Sequence, residues 1–280
     1  MYQKKRTDGV LGIKLFKYLQ EKIPHRYLLA AGVNPNTLVY YNKFGIKTGI
    51  LKQHYILNKS ITDYKIAKIN DGKSFSLSKT KKITEKRIQL ISSINELKKK
   101  FCVDSGVIPY KDYNYLDKRY FSYPYHKYNV YCLIDKIECS SLFVTREVRI
   151  NNSKALLMVD FIGENIDLVY ISDYFHDKIV KYNYEYITFL EYGLPSEIME
   201  KTKFKLLNHK TGRIIIPIYF YPFVKKNIEI NFFADNIDKD YFIFKADGDQ
   251  DRPNWHLSIQ FSFINATMIS TFVKRNNFKL

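Results

Sequence analysis

Residues 6 to 45 contain the strongest candidates for chemistry, beginning with Arg6 and Gly9 just before a helix-like segment. A glycine-bearing turn that enters a helix offers backbone N–H groups and the positive end of the helix dipole to a phosphate. Asn34 and Tyr41 come later, after an apolar strand and around the start of a second short helix. This order predicts a crevice in which an anion-binding turn faces an amide and a phenol.

A second polar cluster lies near residue 250, where Asp247, Asp249 and Asp251 recur at every second position. Carboxylates at this spacing behind a strand can hold a divalent cation, and Asp247-x-Asp249 is similar to the metal motif of DxD glycosyltransferases. The calcium-loop pattern fails because Arg252 stands where glycine is required. The plainer interpretation is a polar turn whose Asp side chains cap the local backbone.

If this cluster is functional without a metal, we expect it to bind the hydroxyl groups of a sugar-like acceptor, with the single tryptophan as a stacking plane. The expected substrate-binding residues are then Asp249, Asp251, Arg252, Asn254 and Trp255.

The segment from residue 6 to residue 46 resembles the C-terminal half of the GCN5-related N-acetyltransferase (GNAT) superfamily. The family's turn, Q/R-x-x-G-x-G/A, is matched by Arg6 and Gly9, whereas the next small residue, Gly12, falls one position late. The family's second pattern, N-x-x-A-x-x-x-Y-x-x-x-G-F, is matched in register by three residues: Asn34, Tyr41 and Gly45.

The resemblance implies an acyl-CoA donor, acetyl-CoA or another acyl-CoA, with Arg6, Gly9 and Gly12 at its diphosphate and Asn34 at its pantetheine arm. It also implies that Tyr41 is the general acid that protonates the departing thiolate. A phenol suits this task because it remains protonated at neutral pH and can still donate as charge develops on sulfur.

The hydrophobic pattern predicts elements that would position these residues. Beyond residue 106 it predicts an antiparallel meander, then a helix, a strand and a short helix. The predicted elements are helices at 10–23, 37–43, 84–101, 168–181 and 195–201, and strands at 27–31, 50–57, 64–69, 128–134, 141–150, 154–161, 184–190, 204–207, 214–220, 227–233 and 241–245.

The expected fold class is α+β, with mixed and largely antiparallel sheets and flanking helices. The expected domains are a partial GNAT-like unit (residues 1–70) that lacks its N-terminal half, a basic connecting helix or linker (71–105), and a complete GNAT-like domain (106–280). This tandem order resembles FemAB-like acyltransferases. In the second unit Met199 stands at the acid position and cannot donate a proton.

The formal net charge is +17, and residues 1–105 hold most of it, with 22 Lys and Arg against 7 Asp and Glu. A field of one sign attracts polyanions. Nucleic acid is disfavoured because no helix-turn-helix, RRM or KH pattern is present. We expect no transmembrane segment and no signal peptide. The six His and three Cys residues lack metal-ligand spacing, so we expect no metal site.

The resulting hypothesis is a cytoplasmic, acyl-CoA-dependent N-acyltransferase that acts on an amino sugar or related acceptor in surface-polysaccharide biosynthesis. Its partners would be the small-molecule donor and a sugar-like acceptor. The sequence leaves open whether the protein contacts a membrane surface and whether it forms a homo-oligomer. The alternatives are a DxD-type, metal-dependent sugar-nucleotide transferase and a non-catalytic binding protein derived from the GNAT fold.

Overall fold

The computed structural model describes residues 11–25, 27–70, 86–103, 108–220, 222–235 and 241–248. The helices are α1 (Leu11–Lys22), α2 (Leu38–Lys43), α3 (Ile94–Lys100), α4 (Tyr113–Leu116), α5 (Asp167–Lys181) and α6 (Ser196–Lys201). The strands are β1 (Leu29–Ala31), β2 (Lys47–Leu57), β3 (Lys68–Ile69), β4 (Arg87–Ile91), β5 (Asn129–Asp135), β6 (Glu138–Ile150), β7 (Ser153–Gly163), β8 (Tyr186–Tyr192), β9 (Lys205–Leu206), β10 (Ile214–Ile215), β11 (Tyr219–Phe220), β12 (Phe223–Val224), β13 (Ile230–Ala234) and β14 (Ile243–Phe244).

Ten of these strands form one large sheet, with the order β1-β13-β2-β8-β7-β6-β5-β4 and with β14 and β9 pairing at β8 and β2. The pairings within this sheet are antiparallel except for β7 with β8. The expected α+β class, with a mixed and largely antiparallel sheet and flanking helices, is therefore confirmed.

The predicted meander is confirmed as β5, β6 and β7. The turn between β6 and β7 contains Asn151 and Asn152, both with positive φ (47° and 64°). Asparagine tolerates this left-handed conformation better than most residues, and tight hairpins require it. The turn sets the register that pairs Ile150 with Ser153 and Val148 with Ala155.

The predicted helix at 84–101 is wrong in its first half. Arg87–Ile91 forms β4, which pairs antiparallel with β5, and only Ile94–Lys100 is helical. Ser93 divides the two elements because its side chain accepts a hydrogen bond from the Glu96 amide and caps the helix at that point. The apolar residues fit a helical period, but tertiary pairing with β5 decided the first half of the segment.

The described parts of the three predicted domains contribute strands to the same sheet. Strand β2, from the predicted first unit, pairs along Lys52–Leu57 with β8, from the predicted third. Glu185 strengthens this junction, because its buried carboxylate accepts hydrogen bonds from the amides of Ile66 (2.8 Å) and Ala67 (2.9 Å). Any division into domains would therefore have to pass through a hydrogen-bonded sheet, and the proposed boundaries remain a prediction.

The core lies on both faces of the sheet. On one face α5 buries Leu168, Ile171, Phe175 and Ile179 against the strands, and the helix predicted at 168–181 is confirmed. In contrast, α1 has no buried residue. Among the residues that the structure describes, no helix combines the length and apolar character needed to cross a bilayer.

Candidate functional site

The candidate site is a cavity of about 490 Å³ between segments that are distant in sequence. The lining includes β1 with the two residues before it and the turn after β14, which contact each other. The cavity is lined by Tyr27, Leu28, Leu29, Ala30, Ala31, Pro109, Tyr110, Lys111, Tyr115, Arg119, Ala246, Asp247 and Gly248. Gly248 is needed at the wall because a Cβ there would lie 2.8 Å from the Ala31 carbonyl oxygen.

The cavity adjoins the place where the two parallel strands separate. Parallel pairing joins Leu156–Met158 of β7 to Ile187–Phe189 of β8 and then ends. Beyond it, β8 pairs with β14, and the turn Lys245–Asp247 contacts both β7 and β8. In sheets with parallel strands, ligands commonly bind in the crevice at the carboxyl ends of such strands.

A buried ionic cluster forms the floor of this region. The Lys111 ammonium lies 2.5 Å from the Asp160 carboxylate and 2.8 Å from the Asp247 carboxylate. Asp160 also accepts hydrogen bonds from the Tyr120 hydroxyl and from the Phe161 amide. All three charged side chains are at most 5% exposed, so one cation and two carboxylates share a buried environment.

Burial is the main cause of the altered proton affinity of Asp247. Burial raises the pKa of its carboxyl to about 6; Lys111 opposes this shift, and the charge of Asp160 adds to it. For Lys111, burial lowers the pKa, but the two carboxylates outweigh burial and raise the pKa above its ordinary value. A cavity-lining carboxylate that titrates near neutral pH is suited to accept a proton from a substrate.

Two further side chains give the cavity its polar character. Burial raises the pKa of Tyr115 to about 12, so its hydroxyl remains protonated. Arg119 donates to the Tyr128 hydroxyl at 2.9 Å, and its guanidinium carbon lies 5.5 Å from the centre of the Tyr123 ring. The lining of the cavity therefore combines a fixed cation, a phenol and a carboxylate.

Tyr41, the predicted acid, is half-buried between two aromatic rings. Its ring stacks on Phe233 at 4.2 Å and meets Phe16 edge-on at 5.4 Å. It does not line the 490 Å³ cavity, but Phe233 is the strand partner of Ala30, which does. Tyr41 therefore contacts a residue of β13, Phe233, whose strand partner Ala30 lines the cavity.

The other predicted residues are dispersed. Asn34 is exposed, and its side-chain oxygen accepts a hydrogen bond from the Asn36 amide (3.0 Å) as a helix cap. Gly12 lies on the exposed surface of α1, with no atom within 4 Å of a Cβ built there. The remaining predicted residues lie outside the described part of the chain: Arg6, Gly9, Asp249, Asp251, Arg252, Asn254 and Trp255.

The start of α5, another helix N-terminus that follows a strand, does not fit a diphosphate. Asp167 occupies it with a buried carboxylate that accepts hydrogen bonds from Lys86 (2.8 Å), Ser140 (2.6 Å) and Ser141 (2.7 Å). A second anion at this point would be repelled by a carboxylate that cannot move into solvent. No diphosphate is therefore assigned to the start of α5.

Asp247, the first carboxylate of the DxD alternative, is engaged by its neighbours, and the second, Asp249, lies outside the described residues. One carboxylate oxygen contacts Lys111, and the other accepts a hydrogen bond from the Phe244 amide at 2.8 Å, which is the local capping that the turn interpretation predicts. Within the described ranges, no group of three or more His, Cys, Asp or Glu residues is arranged to hold a metal ion.

Sequence analysis missed Lys111, Asp160 and Tyr120. Asp160 had a detectable signal, because it is the one charged residue in the apolar run from Ala155 to Ile162, and a charge within such a run needs a buried partner. Lys111 had none, since it is one lysine among many in a basic chain.

Comparisons with known proteins give distant likenesses in shape. No family model matches the chain, and no curated protein matches it. One similar solved structure is a functionally unknown conserved protein from Staphylococcus epidermidis (10% identity, TM-score 0.41, covering 80% of this chain and 77% of that one). Another is a GCN5-related N-acetyltransferase from Anabaena variabilis (11% identity, TM-score 0.43, covering 82% of this chain and 51% of that one). This chain therefore spans about half the length of that acetyltransferase.

Proposed function

We propose that the protein is an acyl-CoA-dependent N-acyltransferase whose acceptor amine binds in the 490 Å³ cavity. The observation that carries this proposal is Asp247, a cavity-lining carboxylate whose pKa is raised to about 6 by burial. Such a group is ionised at neutral pH and can still hold a proton, as removal of a proton from an attacking amine requires.

In the proposed reaction, the amine nitrogen attacks the thioester carbonyl carbon, a C–N bond forms and the C–S bond breaks. The proton lost by nitrogen moves to Asp247, and the thiolate takes a proton from a phenol. The resemblance assigns this phenol to Tyr41, which lies outside the cavity lining, so the thioester would have to reach from the cavity past β1 toward Tyr41. Lys111 and Asp160 act as positioning residues, because Lys111 contacts both carboxylates and fixes Asp247 at the cavity wall.

The donor is proposed to bind at the opening of α1. Arg6, Gly9 and Gly12 would hold the diphosphate through charge and backbone amides, and Asn34 would contact the pantetheine arm. The first turn of α1 contains no acidic residue, unlike the first turn of α5. An anion at the start of α1 would therefore meet a favourable helix dipole, with Arg6 offsetting the charge of Asp8 in the preceding turn.

The acceptor is proposed to be an amino sugar or related amine, used in surface-polysaccharide assembly in the cytoplasm. In sequence, Asp249 follows Gly248 of the cavity wall directly. The proposed hydroxyl-binding residues are Asp249, Asp251, Arg252 and Asn254, with Trp255 as a stacking plane.

Ligand stabilisation and thiol release test this proposal together. Acetyl-CoA at 100 times its dissociation constant should add about 2.7 kcal/mol to the free energy of unfolding. With a panel of amino sugars and simple amines, release of the CoA thiol should exceed the hydrolysis rate. A nucleotide sugar with Mn²⁺ should not stabilise the protein. Stabilisation by that mixture instead of acetyl-CoA would favour the DxD alternative, and stabilisation by neither would favour a non-catalytic protein.

Replacing Tyr41 with Phe should lower turnover by about 10²-fold, the lower end of the usual contribution of a general acid. The ring contacts with Phe16 and Phe233 would remain, so the melting temperature should stay close to that of the parent protein. The neighbouring Tyr40→Phe is the matched control, because Tyr40 lies in the same helix with 47% of its surface exposed. Equal turnover of the two variants would remove Tyr41 from the mechanism.

A further inference from the structure

Helix α1 presents an apolar face to solvent. Its exposed large apolar residues are Leu11 (58%), Leu15 (56%), Tyr18 (43%), Leu19 (41%) and Ile23 just beyond its end (53%). Their spacing puts them on one side of the helix. Single exposed leucines are ordinary on protein surfaces, but four large apolar residues on one short helix, with a fifth just beyond its end, form a patch that marks an interaction site.

The opposite side of α1 is the one that attaches it to the protein. Ile13, Phe16 and Gln20 are half-buried, and Phe16 contacts the rings of Tyr41 (5.4 Å) and Phe233 (5.7 Å). The helix is therefore held by its inner face, and within the described part of the chain its outer side chains are exposed. Rotating α1 to hide the leucines would break these ring contacts.

The charges around this face are basic. Within α1, Lys14, Lys17 and Lys22 stand against the single acid Glu21. The preceding residues 1–10 add two lysines and one arginine against one aspartate. At 100° per residue, Lys14 and Lys17 lie to one side of the apolar face and Lys22 lies within it, at the last turn, where a long side chain can reach the headgroups. An exposed apolar face with lysines of this kind is typical of helices that lie in the plane of a membrane interface. Each nearby Lys or Arg adds attraction to anionic lipid headgroups.

We propose that the outer face of α1 binds the surface of an anionic lipid bilayer, with its leucines at the level of the acyl chains and its lysines among the headgroups. This inference does not depend on the proposed acyl transfer. The basic charge favours a membrane over a second copy of the chain, because two copies meeting through this face would bring two groups of lysines together.

Vesicle flotation of the full-length protein tests the proposal. The protein should float with vesicles that contain phosphatidylglycerol and bind phosphatidylcholine vesicles at least about tenfold more weakly. Binding should weaken as NaCl rises from about 0.05 M to about 0.5 M, since salt screens the lysines. A parent protein that fails to bind anionic vesicles would overturn the proposal.

The double variant Leu15→Ser with Leu19→Ser separates the apolar face from charge alone. It keeps every lysine, and it should lower the partition coefficient at least about tenfold, because two large apolar side chains would no longer enter the bilayer. The matched control is Ile137→Ser, at an 85% exposed position in the β5–β6 turn, and it should bind like the parent protein. Equal vesicle binding by both variants would contradict the proposal.

Light scattering of the parent protein as it elutes from a gel-filtration column tests the other possible occupant of this face, a second copy of the chain. A dimer that the double variant dissociates, without vesicle binding by the parent, would assign the face to self-association and overturn the membrane proposal. The membrane proposal is supported if the parent protein has the same mass in solution as the double variant and binds anionic vesicles where the double variant does not.

Discussion

Replacing Asp247 with Asn is expected to lower acyl transfer by about 10²–10⁴-fold, the usual contribution of a general base. Asparagine has nearly the same shape, and its carbonyl oxygen can still accept a hydrogen bond from Lys111 or from the Phe244 amide. It cannot accept the proton of the attacking amine. The rate of thiol release, measured with saturating acyl-CoA and amine, gives the size of the loss.

The pH profile distinguishes a lost base from a disturbed fold. Because burial raises the pKa of Asp247 to about 6, the activity of the parent protein should rise with pH through that value. The variant should lack this rise. Asp63→Asn is the control, since Asp63 is an exposed carboxylate (75%) paired with Lys65, and its profile should match that of the parent. An Asp247→Asn protein with parental turnover and an unchanged profile would remove Asp247 from the reaction.

The same pKa predicts a pH dependence of stability. The folded protein binds the Asp247 proton more tightly than the unfolded chain, where the ordinary pKa is 3.8. The stability that this proton contributes is complete below about pH 4 and is lost as the pH rises through about 6. Asparagine lacks this titration. The free energy of unfolding of Asp247→Asn minus that of the parent protein should therefore be more positive at pH 7 than at pH 4. Urea unfolding of both proteins at the two pH values gives this difference.

Replacing Lys111 with Met is expected to lower the free energy of unfolding by about 3–5 kcal/mol. Methionine fills much of the same volume, so the main loss is the cation between Asp160 and Asp247. Both carboxylates would remain buried without their shared partner, and a buried uncompensated charge is costly. Urea unfolding monitored by circular dichroism provides the measurement.

Lys65→Met is the matched control for that loss. Lys65 also pairs with a carboxylate, Asp63, at 2.5 Å, but both side chains are more than half exposed. An exposed pair typically contributes about 0–1 kcal/mol, so the control should change little. Adding Asp247→Asn to Lys111→Met should restore part of the stability by removing one uncompensated charge. If Lys111→Met and Lys65→Met lower the free energy of unfolding by equally small amounts, the buried cluster stabilises the protein no more than an exposed ion pair does.

The amino-acid sequence by itself determined the elements with strong local signals. Helix α5 and the asparagine turn between β6 and β7 depend on neighbouring residues, and both are found as predicted. The α+β class followed from the same periodicity. The helix predicted across Arg87–Ile91 failed because pairing with a distant strand outweighed a local apolar pattern.

Tertiary structure alone decided where the candidate site lies. Lys111, Asp160 and Asp247 are far apart in the chain, and nothing in their local patterns links them. They meet because β7 and β8 separate after a short parallel pairing and the turn after β14 lies against both strands. The energy of a pair of buried charges depends on the distance between them and on the low dielectric around them. Both are set by the folded structure and produce no repeating pattern in the sequence.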